Sequence, residues 1–236
     1  MPDFAHRSST IEIMDDLDCN GEVVHQTLRE LEFINRWLGG NAVTLEGVKQ
    51  LTSYHKNETL HIADLGCGGG DMLKLLADWG RSKNIKFKLT GIDANPHIIA
   101  FAQNNCKSHP EITFETLDIF SNDFQSRKYD IVMGTLFYHH FSQESLTDFF
   151  SKLKQQVRVG IIINDIHRHW LAYHSIRLLT KFFSKSAMVK FDAPLSVLRA
   201  FTNQELTDIL TQSGIQPFQL KWKWAFRWLM IYRAQG

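Results

Sequence analysis

From about residue 60 the chain alternates short apolar runs with amphipathic ones, and this restricts the fold more than any other feature. "LHIADLG" (60–66) predicts a first strand, and "KFKLTGID" (86–93), "ITFETLD" (112–118), "YDIVMGTLF" (129–137) and "GIIINDI" (160–166) predict four more. Between them, one helix runs from about Gly70 to Trp79 and stops at Gly80. A second opens at Asn95 with Pro96 in its first turn, and a third starts near Ser142. A helix between successive strands makes the strands parallel and covers both faces of the sheet. The crossovers are then right-handed, and ligand belongs at the carboxyl ends of the strands. A further helix is expected over about 168–184, and a capping box in "TNQEL" pairs Thr202 with Glu205 to open another that ends at Gly214. Two strand-like runs, 216–224 and 226–233, close the chain with only Ala225 between them, so they form an antiparallel pair. Upstream, Val24, Leu28, Leu31, Ile34 and Leu38 recur at helical steps and Gly39-Gly40 supplies a stop; a short helix follows at about 43–54.

The first predicted strand exits into "ADLGCGGGD" (63–71), where Gly66, Gly68 and Gly70 read G-x-G-x-G. A dinucleotide turn needs its third glycine at 71 or 73, and those positions hold Asp71 and Leu73. The lysine of a P-loop is missing as well. A diphosphate binds the free N–H groups of a helix N-terminus, and the Asp71 carboxylate competes for them and repels it. A cationic nucleoside without phosphate is not repelled, and S-adenosylmethionine is such a molecule. Asp93, closing the second strand, is placed to accept from both ribose hydroxyls; its other reading, a helix cap, is already filled by Asn95. Asp118 reads either as an acceptor for the adenine amino group, with Ile119 against the ring, or as a turn acid. Asp64 either holds the turn or receives the methionine amino group.

Residues 60–166 resemble the class I S-adenosylmethionine-dependent methyltransferases: "ADLGCGGGD" matches their first motif, "GIDANP" the second, "LDI" the third, and "YDIVMGTLFYHHF" the fourth strand and its exit. The resemblance implies a doubly wound α/β sheet, Rossmann-like, of seven mostly parallel strands in the order 3-2-1-4-5-7-6. It implies cofactor contacts at Asp64, Gly66, Cys67, Gly68, Gly70, Asp93, Ala94, Asp118, Ile119 and Gly134, with S-adenosylhomocysteine (SAH) as product. It divides the chain into an N-terminal helical segment, 1–58, and a methyltransferase domain, 59–236, with a cap inserted at about 168–200. The pattern is most similar to methyltransferases of quinone and phenolic natural-product biosynthesis, which implies a small or lipid-like acceptor methylated on carbon or oxygen.

Such an acceptor has to lose a proton, and histidine suits that task near neutral pH. His140 is the first candidate for the base, with His139 and His167 behind it; the competing reading is that these histidines cap strand ends. A metal reading of the three lacks the carboxylate and amide set of a hard cation. Arg36 either reaches the cofactor carboxylate or is a solvated helix arginine, and Arg7 is comparable. "KWKWAFRW" (221–228) alternates cations with aromatics and reads either as a nucleic-acid or membrane-surface patch or, the favoured reading, as a strand whose period sends the lysines outward and packs Trp222 and Trp224 inward. With 26 Lys+Arg against 25 Asp+Glu, no global field points to nucleic acid. No signal peptide and no apolar run of membrane-spanning length is present, and the three cysteines suggest neither disulfides nor zinc, so a cytoplasmic protein is expected. Trp170, Tyr173, Arg177, Phe182 and Phe183 favour a cap over an apolar acceptor with an anionic group; the competing reading is extra cover for the core. The readings left open are a non-catalytic cofactor-binding scaffold, an NAD-linked oxidoreductase, which Asp71 opposes, and an RNA methyltransferase, which the balanced charge opposes.

Overall fold

The computed structural model describes residues 2–55 and 58–234. Its centre is a seven-stranded sheet in the order β3-β2-β1-β4-β5-β7-β6. The strands are β1 (Leu60–Leu65), β2 (Phe87–Asp93), β3 (Ile112–Thr116), β4 (Tyr129–Thr135), β5 (Val157–Ile166), β6 (Phe218–Lys223) and β7 (Arg227–Arg233). β1 through β5 pair in parallel and β7 runs antiparallel to both β5 and β6. The order and the reversed last strand are those the sequence motifs imply.

Pleating divides the apolar residues between two layers. Ile161 and Ile163 join one core with Phe149, Phe150, Leu206 and Ile209, from α6 (Gln143–Leu153) and α9 (Asn203–Gln212). Ile162 joins the other with Val48, Leu73 and Leu76, from α2 (Gly40–Thr52) and α3 (Asp71–Lys83). A third, smaller core ties α1 (Glu22–Trp37) through Val24 and Leu28 to Ile98 on α4 (Pro96–Asn105) and Met188 on α8 (Ala187–Arg199). The expected caps are made: the Asn95 side chain accepts from the amides of His97 and Ile98, and Thr202 and Glu205 complete their box.

Three expectations need correction. α3 runs through Gly80 and ends at Asn84, which takes the left-handed conformation at φ 54°. Gly80 serves packing instead, because a Cβ there would sit 2.7 Å from the Phe87 ring. α2 begins at Gly40, directly after Gly39 in the left-handed region. The helix expected at about 168–184 is present as α7 (Trp170–Phe183), and α8 follows it with Pro194 inside. Trp222 and Trp224 do not pack inward: they are 49% and 73% exposed. Trp222 shares the inner face of β6 with Phe218 and Leu220, which rest on the core, but the core ends before it, and Trp224 lies in the turn to β7. Trp228 takes the inward place on β7 and donates its indole N–H to the Phe201 carbonyl.

Candidate active site

A cavity of about 1000 Å³ opens at the carboxyl ends of β1, β2, β4 and β5. The glycine turn forms its floor. Gly66, Gly68 and Gly70 adopt φ of 63°, 50° and 78°, the left-handed region that favours glycine. Their surroundings differ. A Cβ on Gly66 would lie 2.1 Å from the Phe137 ring and one on Gly70 would lie 2.7 Å from Cys106 Sγ, whereas Gly68 has only Leu28 nearby, at 3.7 Å. Gly68 thus leaves its side of the backbone open to a ligand.

Asp64, Gly66, Cys67, Gly68, Asp93, Ala94, Asp118 and Ile119 all line the cavity. Gly70 and Gly134 lie beneath it, Gly134 making room for the Tyr138 ring 2.6 Å from where its Cβ would be. Arg36 is exposed on α1 away from the cavity, so the solvated reading describes it. Arg7 is bound elsewhere: it donates to the backbone carbonyls of Arg199 (2.6 Å) and His139 (2.8 Å). His167 lies against the Trp228 ring, centroids 4.7 Å apart, and does not line the cavity.

The cofactor end is rich in carboxyls. Burial, with Asp71 and then Asp93 nearby, pushes Asp64 up to about 8, and its Oδ1 is buried without a partner. Burial and Glu32 raise Asp71 to about 6, although Lys74 pairs with it at 3.1 Å. Burial also raises Asp93, whose carboxylate accepts from the Asn95 amide at 3.0 Å. Asp118 accepts from the Phe120 amide at 2.9 Å, a turn bond that leaves capacity on the carboxylate. An orphaned buried carboxyl beside a side-chain-free turn fits a ligand that carries an ammonium and a sulfonium and no phosphate.

Two measurements follow. Asp93→Ala is expected to weaken cofactor affinity at least tenfold, about 1.4 kcal/mol, read by isothermal titration with SAH; an unchanged affinity removes Asp93 from the site. The second concerns pH. Asp64 keeps its proton to about 8 when folded, against an ordinary 3.8, and Glu12 keeps its own to about 7. The folded state therefore binds more protons, so the stability these groups contribute is full in mild acid and is lost as pH rises through their folded values. The melting temperature of the free protein is expected to fall between about pH 5 and pH 8. S-adenosylmethionine, whose charge favours the ionised carboxyls, is expected to raise it more at pH 8 than at pH 5, and an equal rise at both would contradict this electrostatics.

The other end of the cavity is assembled from distant segments, and here the sequence reading missed most. A strap ahead of α1 crosses the strand ends and is pinned to α8: Asp192 accepts from the amides of Ile13 (2.8 Å) and Met14 (3.1 Å), and Ser196 donates to Glu12 Oε2 (2.8 Å). This brings Asp15 to 2.5 Å from His140 Nδ1. Burial would raise Asp15, but the hydrogen bond and charge of His140, followed by Arg199, hold it down at about 2. Asp165 receives His139 Nδ1 at 2.7 Å and the amides of Tyr138 (2.9 Å) and His139 (3.2 Å). The result is two Asp–His pairs whose rings lie 4.3 Å apart. His139 is buried, while the His140 side chain is 21% exposed and lines the cavity. Arg199 ties the group together, donating to Asp15 Oδ2 (2.6 Å) and to the carbonyls of His140 (2.6 Å) and Thr10 (3.1 Å). Glu12, His139 and His140 also bring ligand atoms within 4.8 Å of one another, but Arg199 Nε is 3.7 Å from Glu12 Oε1 and already supplies positive charge there. No periodicity marks Glu12, Asp15 or Arg199; the crossing of the strap brings the two acids to the histidines, and the end of α8 brings Arg199.

Residues 62–160 match a family model described as a methyltransferase domain. Over 94 residues, 38% of the chain, the sequence is 35% identical to the protein-lysine N-methyltransferase EFM4 of Saccharomyces cerevisiae, and it spans 39% of that protein's length. Among solved structures, the plantazolicin methyltransferase BpumL in complex with SAH superposes with a TM-score of 0.63 at 18% identity, covering 90% of this chain and 89% of that one. Human N-acetylserotonin methyltransferase in complex with SAM gives 0.60 at 18% identity, covering 92% of this chain and 56% of that one. Magnesium protoporphyrin IX methyltransferase of Synechocystis PCC 6803 with bound SAH gives 0.58 at 18%, covering 86% and 88%. The fold is the one these solved methyltransferases share, and residues 62–160 carry the methyltransferase-domain match. Asp15, His139 and His140 line the same cavity as the glycine turn. Among the described residues no helix is long and apolar enough to cross a membrane.

Proposed function

We propose that this protein methylates a small or lipid-like acceptor bearing an acidic O–H or C–H, of the phenol, enol or quinol kind, and that His140 removes the proton. The Asp15–His140 pair at the wall of the cavity is the observation that carries this reading. Asp15 engages Nδ1, so Nε2 is the ring nitrogen left to accept a proton. When bound, S-adenosylmethionine supplies an electrophilic methyl group on a good leaving group. The chain's part is alignment and deprotonation. Alignment in a closed site is worth roughly 7–11 kcal/mol in favourable cases. The acceptor half is walled by Ile176 and Leu179 of α7, Val189 and Val197 of α8, and Ile11 and Met14 of the strap, an apolar lining suited to a ring or an alkyl chain.

A protein lysine is the second reading, favoured by the 35% identity to a protein-lysine methyltransferase. The walls contributed by strap and cap favour the small acceptor over a side chain presented by a folded protein. The test combines two assays. Metabolites of cells with and without the protein are compared for a gain of one methyl, and purified protein is incubated with S-adenosylmethionine and either a phenol and quinol panel or a protein extract. SAH formation with a methylated small molecule supports the proposal. Methylation confined to protein lysine overturns it, and cofactor binding without turnover on any acceptor favours a scaffold.

A further inference from the structure

α7 has apolar residues on two sides. Ala172, Ile176 and Leu179 line the cavity. On the solvent side Leu171, Leu178 and Phe182 follow at helical steps, and Leu178 and Phe182 are 59% and 68% exposed. Phe183 at the helix end is 80% exposed. The flanks of this stripe are basic: Arg177, Lys181 and Lys185 are exposed, and no acidic residue occurs between Asp165 and Asp192. The apolar surface continues past the helix start. Trp170 stacks on His169 (5.9 Å), His169 on Phe226 (5.2 Å), and Phe226 meets Trp222 edge to face (6.1 Å). Phe226 and the exposed Trp224 reach the cavity wall from there.

A water-facing helix normally places charge where α7 places Leu178 and Phe182. A helix with leucine and phenylalanine on its outer face, cations beside them and tryptophans at its end has the composition of one that lies in a lipid headgroup layer. The sign of the flanking charge selects an anionic surface. We propose that the outer face of α7, with the β6–β7 turn beside it, docks this protein on anionic phospholipid bilayers. One helix then separates the membrane from the acceptor cavity, and a lipid-like acceptor passes from one to the other without crossing water.

The test is co-sedimentation of the full chain with vesicles of phosphatidylcholine alone or mixed with phosphatidylglycerol. Binding to the mixed vesicles is expected to exceed binding to phosphatidylcholine at least tenfold. Leu178→Ser/Phe182→Ser is expected to lower binding at least tenfold, with circular dichroism and the SAH-induced shift in melting temperature unchanged, since both side chains are exposed. Lys181→Gln/Lys185→Gln is expected to reduce the preference for the mixed vesicles. Wild-type protein that stays in the supernatant with both vesicle types overturns the proposal, as does a Leu178→Ser/Phe182→Ser variant that sediments like wild type. Self-association abolished by that variant, without vesicle binding, assigns the face to a second copy and also overturns it. The readout is binding alone, so it stands or falls separately from methyl transfer.

Discussion

His140→Ala is expected to lower turnover by about 10²–10⁴-fold, the usual contribution of a positioned base, while SAH affinity stays nearly unchanged. The ring is held by Asp15 on the strap and lies against His139, so its loss removes no hydrogen bond to the glycine turn. Asp15 keeps Arg199 as a partner at 2.6 Å, so the strap stays charge-paired and the variant is expected to fold. Asp15→Asn separates positioning from chemistry. The amide still reaches Nδ1 but no longer fixes which ring nitrogen carries the proton, so the pH–rate profile is expected to move while SAH affinity holds. Wild-type turnover in His140→Ala would exclude this base and leave the acid of the acceptor to water.

Arg199→Leu is expected to cost about 3–5 kcal/mol of stability, the penalty for leaving buried charge unpaired. Arg199 is 8% exposed and is the cation nearest Glu12 and Asp15, two carboxyls of the strap. Leucine keeps the apolar stem packed but leaves Asp15 with His140 alone and frees the carbonyls of His140 and Thr10. The measurement is a urea unfolding midpoint, paired with limited proteolysis of the first 15 residues. A midpoint equal to that of wild type would mean that the Asp192 bonds to Ile13 and Met14 suffice to hold the strap.

The sheet was legible because its cause is local. The runs at 60–66, 129–137 and 160–166 carry the period that makes strands, and the intervening caps and glycines mark the helix ends. The glycine-turn side of the cavity follows from the same pattern: Asp64 and Asp93 lie at the ends of β1 and β2 and Gly66 and Gly68 come just after β1, so strand position alone brings them to one edge. Gly80 and Trp222 misled because local rules do not report tertiary contacts. Phe87 decides what Gly80 does, and the limit of the core decides what Trp222 does. The Asp–His pairs lay furthest out of reach. Asp15 and His140 are separated by 125 positions, and nothing in either neighbourhood announces the other.

The crossing strap has a practical consequence for protein engineering. A fragment cut to 59–234 keeps the seven strands and the glycine turn but discards Asp15, the residue that the proposed mechanism pairs with His140. On that mechanism such a truncation is expected to bind SAH without turning over an acceptor. Grafting this chemistry onto another scaffold therefore demands the leading fifteen residues as much as the glycine loop.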